Sequence, residues 1–333
     1  MKATQWSKRF MAAAGCVSLL FTGNTLVRQS AAVQPEETLS VTVPATAATV
    51  PATQPPTEAT IPKAVLACEA IAERADGRQV FVFDGTRGEM VYCNVPDTEK
   101  IYPASITKLY SALVALMYLD PDQEVTAGEE LKLMQPGSSR AYVSKGCRLT
   151  VEMLIEAMLI PSGNDASYVV AAAAGRVIGE DPDMDGQEAA KLFIDEMNRQ
   201  APELGLTNSH FVNPDGYHDE NHYTCPADAA KIGMLAMQQP VMAKYMGKQQ
   251  DSVTFKSGER IAWYNTNHLI NPESPYYMEN AVGLKTGYTG EAGQCLLAGF
   301  REDGQEIIVG IFGSEGLYRR YDDVAALYEA CTQ

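Results

Sequence analysis

A serine and a lysine lie three positions apart at Ser105 and Lys108, near the start of the apolar stretch "IYPASITKLYSALVAL". A serine hydroxyl becomes a good nucleophile only when a base accepts its proton. Side chains three apart on a helix face each other, so the Lys108 amine is within reach of the Ser105 hydroxyl. The amine acts as a base only when burial or a second cation keeps it neutral. The spacing predicts a serine nucleophile activated by a lysine.

Two further short motifs follow in the chain. "PSGND" places Ser162 and Asn164 just after a predicted helix, and "GLKTGYTG" places Lys285, Thr286 and Gly287 on a predicted strand. Each motif is weak alone, and the first would otherwise be an ordinary turn. The order Ser-x-x-Lys, Ser-x-Asn, Lys-Thr-Gly is the signature of penicillin-binding proteins and serine β-lactamases. Together the three motifs predict an acyl-transferring serine enzyme.

The elements that must position these residues follow from hydrophobic periodicity and turn signals. The pattern predicts a helix over 64–75, a β-hairpin over 79–94, a helix from Ser105, helices over 151–160, 166–177, 187–200 and 226–238, strands over 281–287, 294–300 and 305–313, and a closing helix over 320–331. A hairpin first, helices in the middle and strands last predict one antiparallel sheet built from both chain ends. The expected fold class is α/β (α+β), with helices flanking the sheet and a mainly helical insertion carrying the Ser162 motif.

Charge and composition narrow the partners. The 333 residues are 46% hydrophobic, and 26 Lys+Arg against 42 Asp+Glu give a net charge of −16. Such a chain repels nucleic acid and anionic lipid, so neither is an expected partner. The expected ligand is a small molecule, or one without net charge.

The N-terminal segment is typical of export. Basic residues precede an apolar run over 10–21, which is shorter than the roughly 20 residues that span a bilayer. Residues 1–32 are therefore predicted to be a signal peptide, with an uncleaved N-terminal membrane anchor as the alternative. Residues 33–62 contain six prolines, seven threonines and no glycine, which predicts a disordered linker. Residues 63–333 form the predicted catalytic domain, outside the cytoplasmic membrane and at the cell wall.

Cysteines and histidines give no expected metal site. Six cysteines follow residue 32, widely spaced and without Cys-x-x-Cys, so disulfides and buried free thiols both stay open. "HDENH", from His218 to His222, directly follows the turn "NPDG" and is interpreted as a polar loop. Neither a metal nor a cofactor is expected.

Over about residues 64–331 the chain resembles the low-molecular-mass D-alanyl-D-alanine carboxypeptidases. The resemblance includes the three motifs and the segments "IPSGNDAS", "LGLTNSHFVNPDGYHDENHYT", "NTNHLI" and "GLKTGYTGEAGQCLLAGFREDG". It implies a β-lactamase/transpeptidase-like fold and an exported serine peptidase that removes the terminal D-alanine from peptidoglycan stem peptides. It also implies that β-lactam antibiotics bind as covalent inhibitors.

The resemblance further implies a role for each matching residue. Ser105 would form the acyl-enzyme, Lys108 would be its base, and Ser162 would relay a proton to the leaving D-alanine. The residues expected to bind substrate are Asn164, Lys285, Thr286, Gly287, Tyr288 and Arg320. Asn164 would hold the peptide backbone, and Lys285 and Thr286 would anchor the terminal carboxylate, helped by Arg320 with Arg319 as the second candidate. The backbone N–H groups of Ser105 and Tyr288 would form the oxyanion hole.

Two other functions stay open at this point. A β-lactamase on the same fold needs a deacylating base, for which Glu203 is the nearest candidate. A catalytically silent wall-binding scaffold is the other, although the intact Ser105, Lys108 and Ser162 argue against it. Only 48 residues follow Lys285, too few for the C-terminal β-sandwich and anchor of many family members. Any anchoring is therefore expected at the N-terminus.

Overall fold

A computed structural model describes residues 63–332, so the predicted leader (1–32) and linker (33–62) lie outside the described residues. The α-helices in this range are α1 (Lys63–Ala72), α2 (Thr107–Tyr118), α3 (Val151–Leu159), α4 (Asn164–Ile178), α5 (Gly186–Glu203), α6 (Pro226–Gln238), α7 (Pro240–Met246) and α8 (Arg319–Thr332). The strands are β1 (Gln79–Asp84), β2 (Glu89–Cys93), β3 (Glu124–Thr126), β4 (Arg148–Thr150), β5 (Gln250–Thr254), β6 (Arg260–Tyr264), β7 (Ala281–Thr289), β8 (Gly293–Glu302) and β9 (Gln305–Ser314). Short 3₁₀ turns cover Ala104–Ile106, Glu129–Leu133 and His268–Ile270.

The main sheet is built from both ends of the described chain, as predicted. Its strand order is β2-β1-β9-β8-β7, and every neighbouring pair is antiparallel. Phe81 of β1 lies opposite Gly310 of β9, so the first hairpin pairs directly with the last strand. β7, which carries the Lys-Thr-Gly motif, is left as an edge strand.

Both faces of this sheet are covered, which explains the nearly continuous apolar run in β9. Val309 and Ile311 pack into a cluster with α1 and α8 on one face. Ile308 and Phe312 point the other way, into the larger core under the helical insertion. The period-2 alternation of the strand therefore divides one apolar sequence between two cores.

The helix that follows Ser105 is the centre of the insertion. All residues from Thr107 to Leu116 of α2 are buried, and α3, α4, α5 and α6 pack around it. A helix buried on all sides needs no polar face, which accounts for "LYSALVAL". The reactive end of α2 is consequently held by packing along its whole length.

The structure differs from the predicted elements in detail. α4 begins at Asn164, two residues before the predicted start, so Asn164 belongs to the helix and not to the preceding turn. α7, the two-stranded sheet β3–β4 and the hairpin β5–β6 were not predicted; these strands have only three to five residues. Among residues 63–332, no helix combines the length and hydrophobicity needed to cross a membrane.

Candidate active site

Ser105 lies in the short 3₁₀ turn that leads into α2. The residue before it, Ala104, adopts a left-handed conformation with φ of 46°. This conformation is uncommon for a residue with a Cβ and is often found where function requires it. The turn leaves Ser105 partly exposed, and its Oγ lies 2.8 Å from Nζ of Lys108. The predicted Ser–Lys contact is therefore present.

Lys108 has the environment that a neutral amine requires. Its side chain is fully buried, and burial lowers its pKa to about 8, while the negative charges of Asp215 and then Asp165 oppose the shift. Its Nζ also donates to the backbone carbonyl oxygen of Asp215 at 2.7 Å. An amine with a pKa near 8 is partly neutral near neutral pH and can accept the serine proton.

The loop that carries Asp215 is packed directly against the Ser105 turn. A Cβ on Gly216 would lie 1.8 Å from the carbonyl oxygen of Ala104, so this close approach needs glycine, and its φ is +83°. His222 Nε2 lies 2.8 Å from Thr107 Oγ1, and His222 Nδ1 accepts a hydrogen bond from the backbone N–H of Val212. Burial lowers the His222 pKa to about 3, so the ring stays neutral and ties the loop to α2.

The Ser162 motif lines the opposite side of the cleft. Ser162 has a φ of 64°, and its carbonyl oxygen accepts a hydrogen bond from Ser139 Oγ at 2.5 Å. The same hydroxyl contacts Asn164 Oδ1 at 3.0 Å. The buried carboxylate of Asp165 accepts from the backbone N–H groups of Ala141, Val143 and Ala166. These bonds fix the loop that carries Ser139 against the start of α4.

β7 forms the third wall of the cleft. A Cβ on Gly287 would lie 3.0 Å from both the Ala104 Cβ and the Ser105 backbone nitrogen, so glycine lets the strand edge approach the Ser105 turn. Thr286 Oγ1 lies 2.5 Å from Thr266 Oγ1, and both residues line the cleft. Tyr288 is 63% exposed at the rim.

Lys285 does not line the open cleft but is buried behind its wall. It is only 1% exposed, and its Nζ donates to the carbonyl oxygen of Thr286 at 3.0 Å. Burial lowers its pKa well below the usual value, and the positive charges of Lys108 and Arg320 lower it further. The electrostatic coupling between the two lysines is reciprocal, so a proton on either disfavours a proton on the other.

Arg320 is a buried cation at the N-terminal end of α8. Its guanidinium donates to the Gln294 side chain and, at 3.5 Å, to the Tyr321 hydroxyl, while its Nε has no partner. No carboxylate of residues 63–332 forms an ion pair with it, whereas the neighbouring Arg319 pairs with Asp323 at 3.5 Å. A buried, unpaired cation is unfavourable unless an anion binds beside it. The site is therefore suited to an anionic ligand group.

These three sides enclose a cleft of about 550 Å³. Seven of the nine predicted site residues line it: Ser105, Ser162, Asn164, Thr286, Gly287, Tyr288 and Arg320. The other two, Lys108 and Lys285, are buried behind the wall. The structure therefore brings together residues that lie up to about two hundred positions apart in the chain.

Four residues that contribute to the site carried no predicted role: Ser139, Asp215, His222 and Thr266. Asp215 and His222 lie within "NPDGYHDENHYT" and Thr266 within "NTNHLI", both segments that carried the family resemblance. Nothing in the local sequence marks Ser139, whose loop has no periodicity. Their contribution depends on contacts between distant parts of the chain.

The "HDENH" segment is a loop, as predicted. His218 packs edge-on against the Tyr102 ring with centroids 4.8 Å apart, and His222 is occupied by Thr107 and Val212. In the described part of the chain, no cluster of three or more His, Cys, Asp or Glu is arranged to hold a metal ion.

Solved structures share this fold. The crystal structure of the Streptomyces K15 DD-transpeptidase has a TM-score of 0.69 at 26% identity, covering 78% of this chain and 97% of that chain. Penicillin-binding protein D2 from Listeria monocytogenes, in an ampicillin-bound form, has a TM-score of 0.62 at 22% identity, covering 78% of this chain and 98% of that chain. The class is that of the penicillin-binding DD-peptidases, and the predicted fold is confirmed.

Sequence relatives place the chain within that class. It is 29% identical over 244 residues to D-alanyl-D-alanine carboxypeptidase DacF of Bacillus subtilis, covering 72% of this chain but only 58% of DacF. It is 29% identical over 259 residues to a D-alanyl-D-alanine carboxypeptidase of Streptomyces sp., covering 74% of this chain and 84% of that protein. The peptidase S11 model, described as D-alanyl-D-alanine carboxypeptidase, matches residues 67–316. The chain belongs to this family, which confirms the predicted resemblance.

Proposed function

We propose that this protein is a serine-type D-Ala-D-Ala carboxypeptidase that removes the terminal D-alanine from peptidoglycan stem peptides. The observation that carries the proposal is the 2.8 Å contact between Ser105 Oγ and Lys108 Nζ at the base of an open cleft. Family membership supports the substrate class.

In the proposed acylation, Ser105 Oγ attacks the carbonyl carbon between the two D-alanines while its proton passes to Lys108 Nζ. The backbone N–H groups of Ser105 and Tyr288 stabilise the developing oxyanion. Ser162, on the other side of the cleft, relays a proton to the leaving amine. Water then hydrolyses the ester on Ser105 and restores the enzyme.

The terminal carboxylate is proposed to bind at Thr286 and Arg320. Arg320 supplies a guanidinium without a carboxylate partner in the described range, and the Thr286 hydroxyl faces the same cleft. The proposal requires that the one proton of the coupled lysine pair rests on Lys285, behind the strand, where its charge would support carboxylate binding and keep Lys108 neutral. Asn164, at the start of α4, holds the peptide backbone.

The β-lactamase alternative lacks support from its candidate base. Glu203 is exposed at the last residue of α5 and is not among the cleft-lining residues. A scaffold without catalysis does not account for the buried Lys108 amine beside Ser105, since an unused buried lysine is unfavourable.

A paired assay tests the function. Wild-type protein should bind one equivalent of fluorescent penicillin and release D-alanine from diacetyl-Lys-D-Ala-D-Ala, and Ser105→Ala should do neither. Rapid turnover of a chromogenic β-lactam would favour the β-lactamase, and absence of labelling in the wild type would favour the scaffold. Because the chemistry uses a lysine base, a chelator should leave the rate unchanged.

Residues 1–32 are proposed to export the protein and residues 33–62 to link the catalytic domain to the site of export. The basic and apolar order of the leader and the Pro/Thr-rich linker support this location. The mass of the protein from the wall fraction distinguishes a chain cleaved after Ala32 from one with an uncleaved anchor. A chain that begins at Pro62 should fold and keep full activity, and its failure to fold would contradict the proposed domain boundary.

A further inference from the structure

Two cysteines from opposite ends of the described chain meet on the outer face of the sheet. Cys68 lies in α1 and Cys331 lies in the last turn of α8, 263 positions later. Their Sγ atoms are 3.1 Å apart. This is within the reach of a small side-chain rotation from the roughly 2 Å separation of a disulfide.

The surroundings hold the two sulfurs together. Cys68 is completely buried in the cluster that includes Tyr321, Leu327 and Tyr328 of α8, and Cys331 packs at the edge of that cluster. Both helices therefore keep their relative position through apolar packing, independently of any bond between the sulfurs. The contact is a property of the core and not of a mobile tail.

Three of the four other cysteines of the described range have different partners. Cys147 lies 3.6 Å from the Glu259 carboxylate, Cys225 accepts a hydrogen bond from the Asp228 backbone at the start of α6, and the Cys295 thiol faces backbone carbonyls. Cys68 and Cys331 are the one pair of thiols in contact among residues 63–332.

We propose that Cys68 and Cys331 form an intramolecular disulfide that locks α1 to α8. The oxidant is an external disulfide. Cys331, which is partly exposed, is the sulfur that the reagent reaches, and Cys68 completes the bond from the buried side. In sum, two thiols lose two electrons and two protons, the Cys68–Cys331 bond forms, and the external disulfide is reduced to two thiols.

The acidity of the pair favours the closing step, whereas the first attack is slow because it needs Cys331, the less acidic thiol, as the thiolate. The hydrogen bond from the Cys331 thiol lowers the pKa of Cys68, against the opposing effect of burial. The same contact raises the pKa of Cys331. Cys68 is therefore the sulfur that more readily becomes the thiolate needed for the closing attack.

The bond would act on the element that carries Arg320. α8 begins beside the cleft at Arg319–Arg320 and carries Cys331 in its last turn, so the disulfide would fix the far end of that helix against α1. A disulfide between residues 263 positions apart closes a long loop and strongly restricts the unfolded chain. The expected result is a catalytic domain that unfolds less readily and is harder to inactivate by heat, with little change in the reaction itself.

The test uses the full chain, equilibrated with oxidised glutathione or with dithiothreitol. After oxidation, denaturation and alkylation, mass spectrometry should find a linked peptide pair containing Cys68 and Cys331, with the other five of the seven cysteines alkylated. The oxidised protein should melt about 5–10 °C above the reduced protein. It should also migrate faster on a non-reducing gel.

Cys331→Ser is the informative variant, because its side chain is partly exposed at a helix end and the substitution costs little burial. It should fold, melt like the reduced wild type and lose the redox dependence of melting. Cys93→Ser, on the edge strand β2, is the matched control and should keep that dependence. Separate alkylation of Cys68 and Cys331 after oxidation, glutathione retained on Cys331, or equal melting temperatures in both conditions would each overturn the proposal.

Discussion

The amine nitrogen of Lys108 lies 2.7 Å from the backbone carbonyl oxygen of Asp215, and the Asp215 carboxylate is buried in the same loop. One carboxylate oxygen accepts from the Tyr217 backbone N–H, and the other has no hydrogen-bond partner. The loop thus contributes both a hydrogen-bond acceptor and a nearby charge to the proposed base. These two contributions can be separated by mutation, because the acceptor belongs to the backbone.

Asp215→Asn should make the enzyme active at lower pH. The negative charge of Asp215 raises the pKa of Lys108, against the lowering by burial, so its removal should lower that pKa below about 8. The rate rises as the base loses its proton, so the acid limb of the kcat/KM profile should shift to lower pH by at least about 0.5 unit. A pH–rate series on diacetyl-Lys-D-Ala-D-Ala measures this.

Asp219→Asn is the control for that series, because Asp219 is exposed in the same loop. Its profile should match that of the wild type. An acid limb in Asp215→Asn that stays in place, or moves up, would show that the Asp215 charge does not act on the base.

Lys108→Arg should abolish acylation by peptide and by penicillin alike. Guanidinium stays protonated at all accessible pH values and cannot accept the Ser105 proton. A general base contributes about 10²- to 10⁴-fold, so the acylation rate should fall by at least about 100-fold. Lys285→Arg keeps a cation where the proposal needs one and should retain at least about ten times more activity. Stopped-flow acylation by a fluorescent penicillin compares them, and equal rates in the two variants would refute the division of roles.

Much of this site was predictable because its chemistry is concentrated in three short motifs whose order is diagnostic. The sheet was predictable as well, because β1, β8 and β9 are long and apolar enough to give a clear period. The boundary at Asn164 was missed by two residues, since Ser-Gly-Asn-Asp is as typical of a turn as of a helix start.

The remainder depends on contacts that no local pattern encodes. Asp215 reaches Lys108 through a loop 107 positions away, and Ser139 reaches Ser162 through another. The left-handed turn at Ala104 depends on the close packing of Gly216 and Gly287 around it. Pairing among six cysteines is likewise undetermined by sequence alone, because their spacing allows many connectivities.

Arg320→Gln should weaken recognition of the substrate's free carboxylate. Removing one partner of a buried charge pair costs about 2–5 kcal/mol, so kcat/KM for diacetyl-Lys-D-Ala-D-Ala should fall at least about 30-fold, mainly through KM. With the C-terminal amide of the same peptide, the wild type should be slow and the variant no slower. Steady-state kinetics on the two peptides provide the comparison.

Arg319→Gln is the matched control, because Arg319 is about half exposed and already pairs with Asp323. It should keep the wild-type preference for the free carboxylate. If Arg319→Gln lost the preference and Arg320→Gln kept it, the carboxylate site would have to be reassigned to the neighbouring arginine.

Glu156 should make the wild type less stable as the pH rises from about 5 to about 8, and Glu156→Gln should remove this contribution. Glu156 is buried in α3, and burial, together with the neighbouring Asp251 carboxylate, raises its pKa to about 8. Its unfolded pKa is about 4.3, so between these values the folded state holds a proton that the unfolded state has lost. Stability therefore falls as pH rises, by at most about 1.4 kcal/mol per pH unit for one proton.

Glutamine stays neutral in both states, so the free energy of unfolding of the variant relative to the wild type should increase steadily from pH 5 to pH 8. His222, whose pKa burial lowers to about 3, adds the same opposite slope below about pH 6.5 to both proteins and cancels in this difference. Urea unfolding at pH 5, 6, 7 and 8 measures the slope. Glu152→Gln, in the same helix, is the control: the hydrogen bond from Lys244 lowers the pKa of Glu152, so this carboxylate is ionised in both states above pH 5 and its removal should leave the slope unchanged. The same slope in the wild type and in Glu156→Gln would show that Glu156 ionises freely in the folded protein.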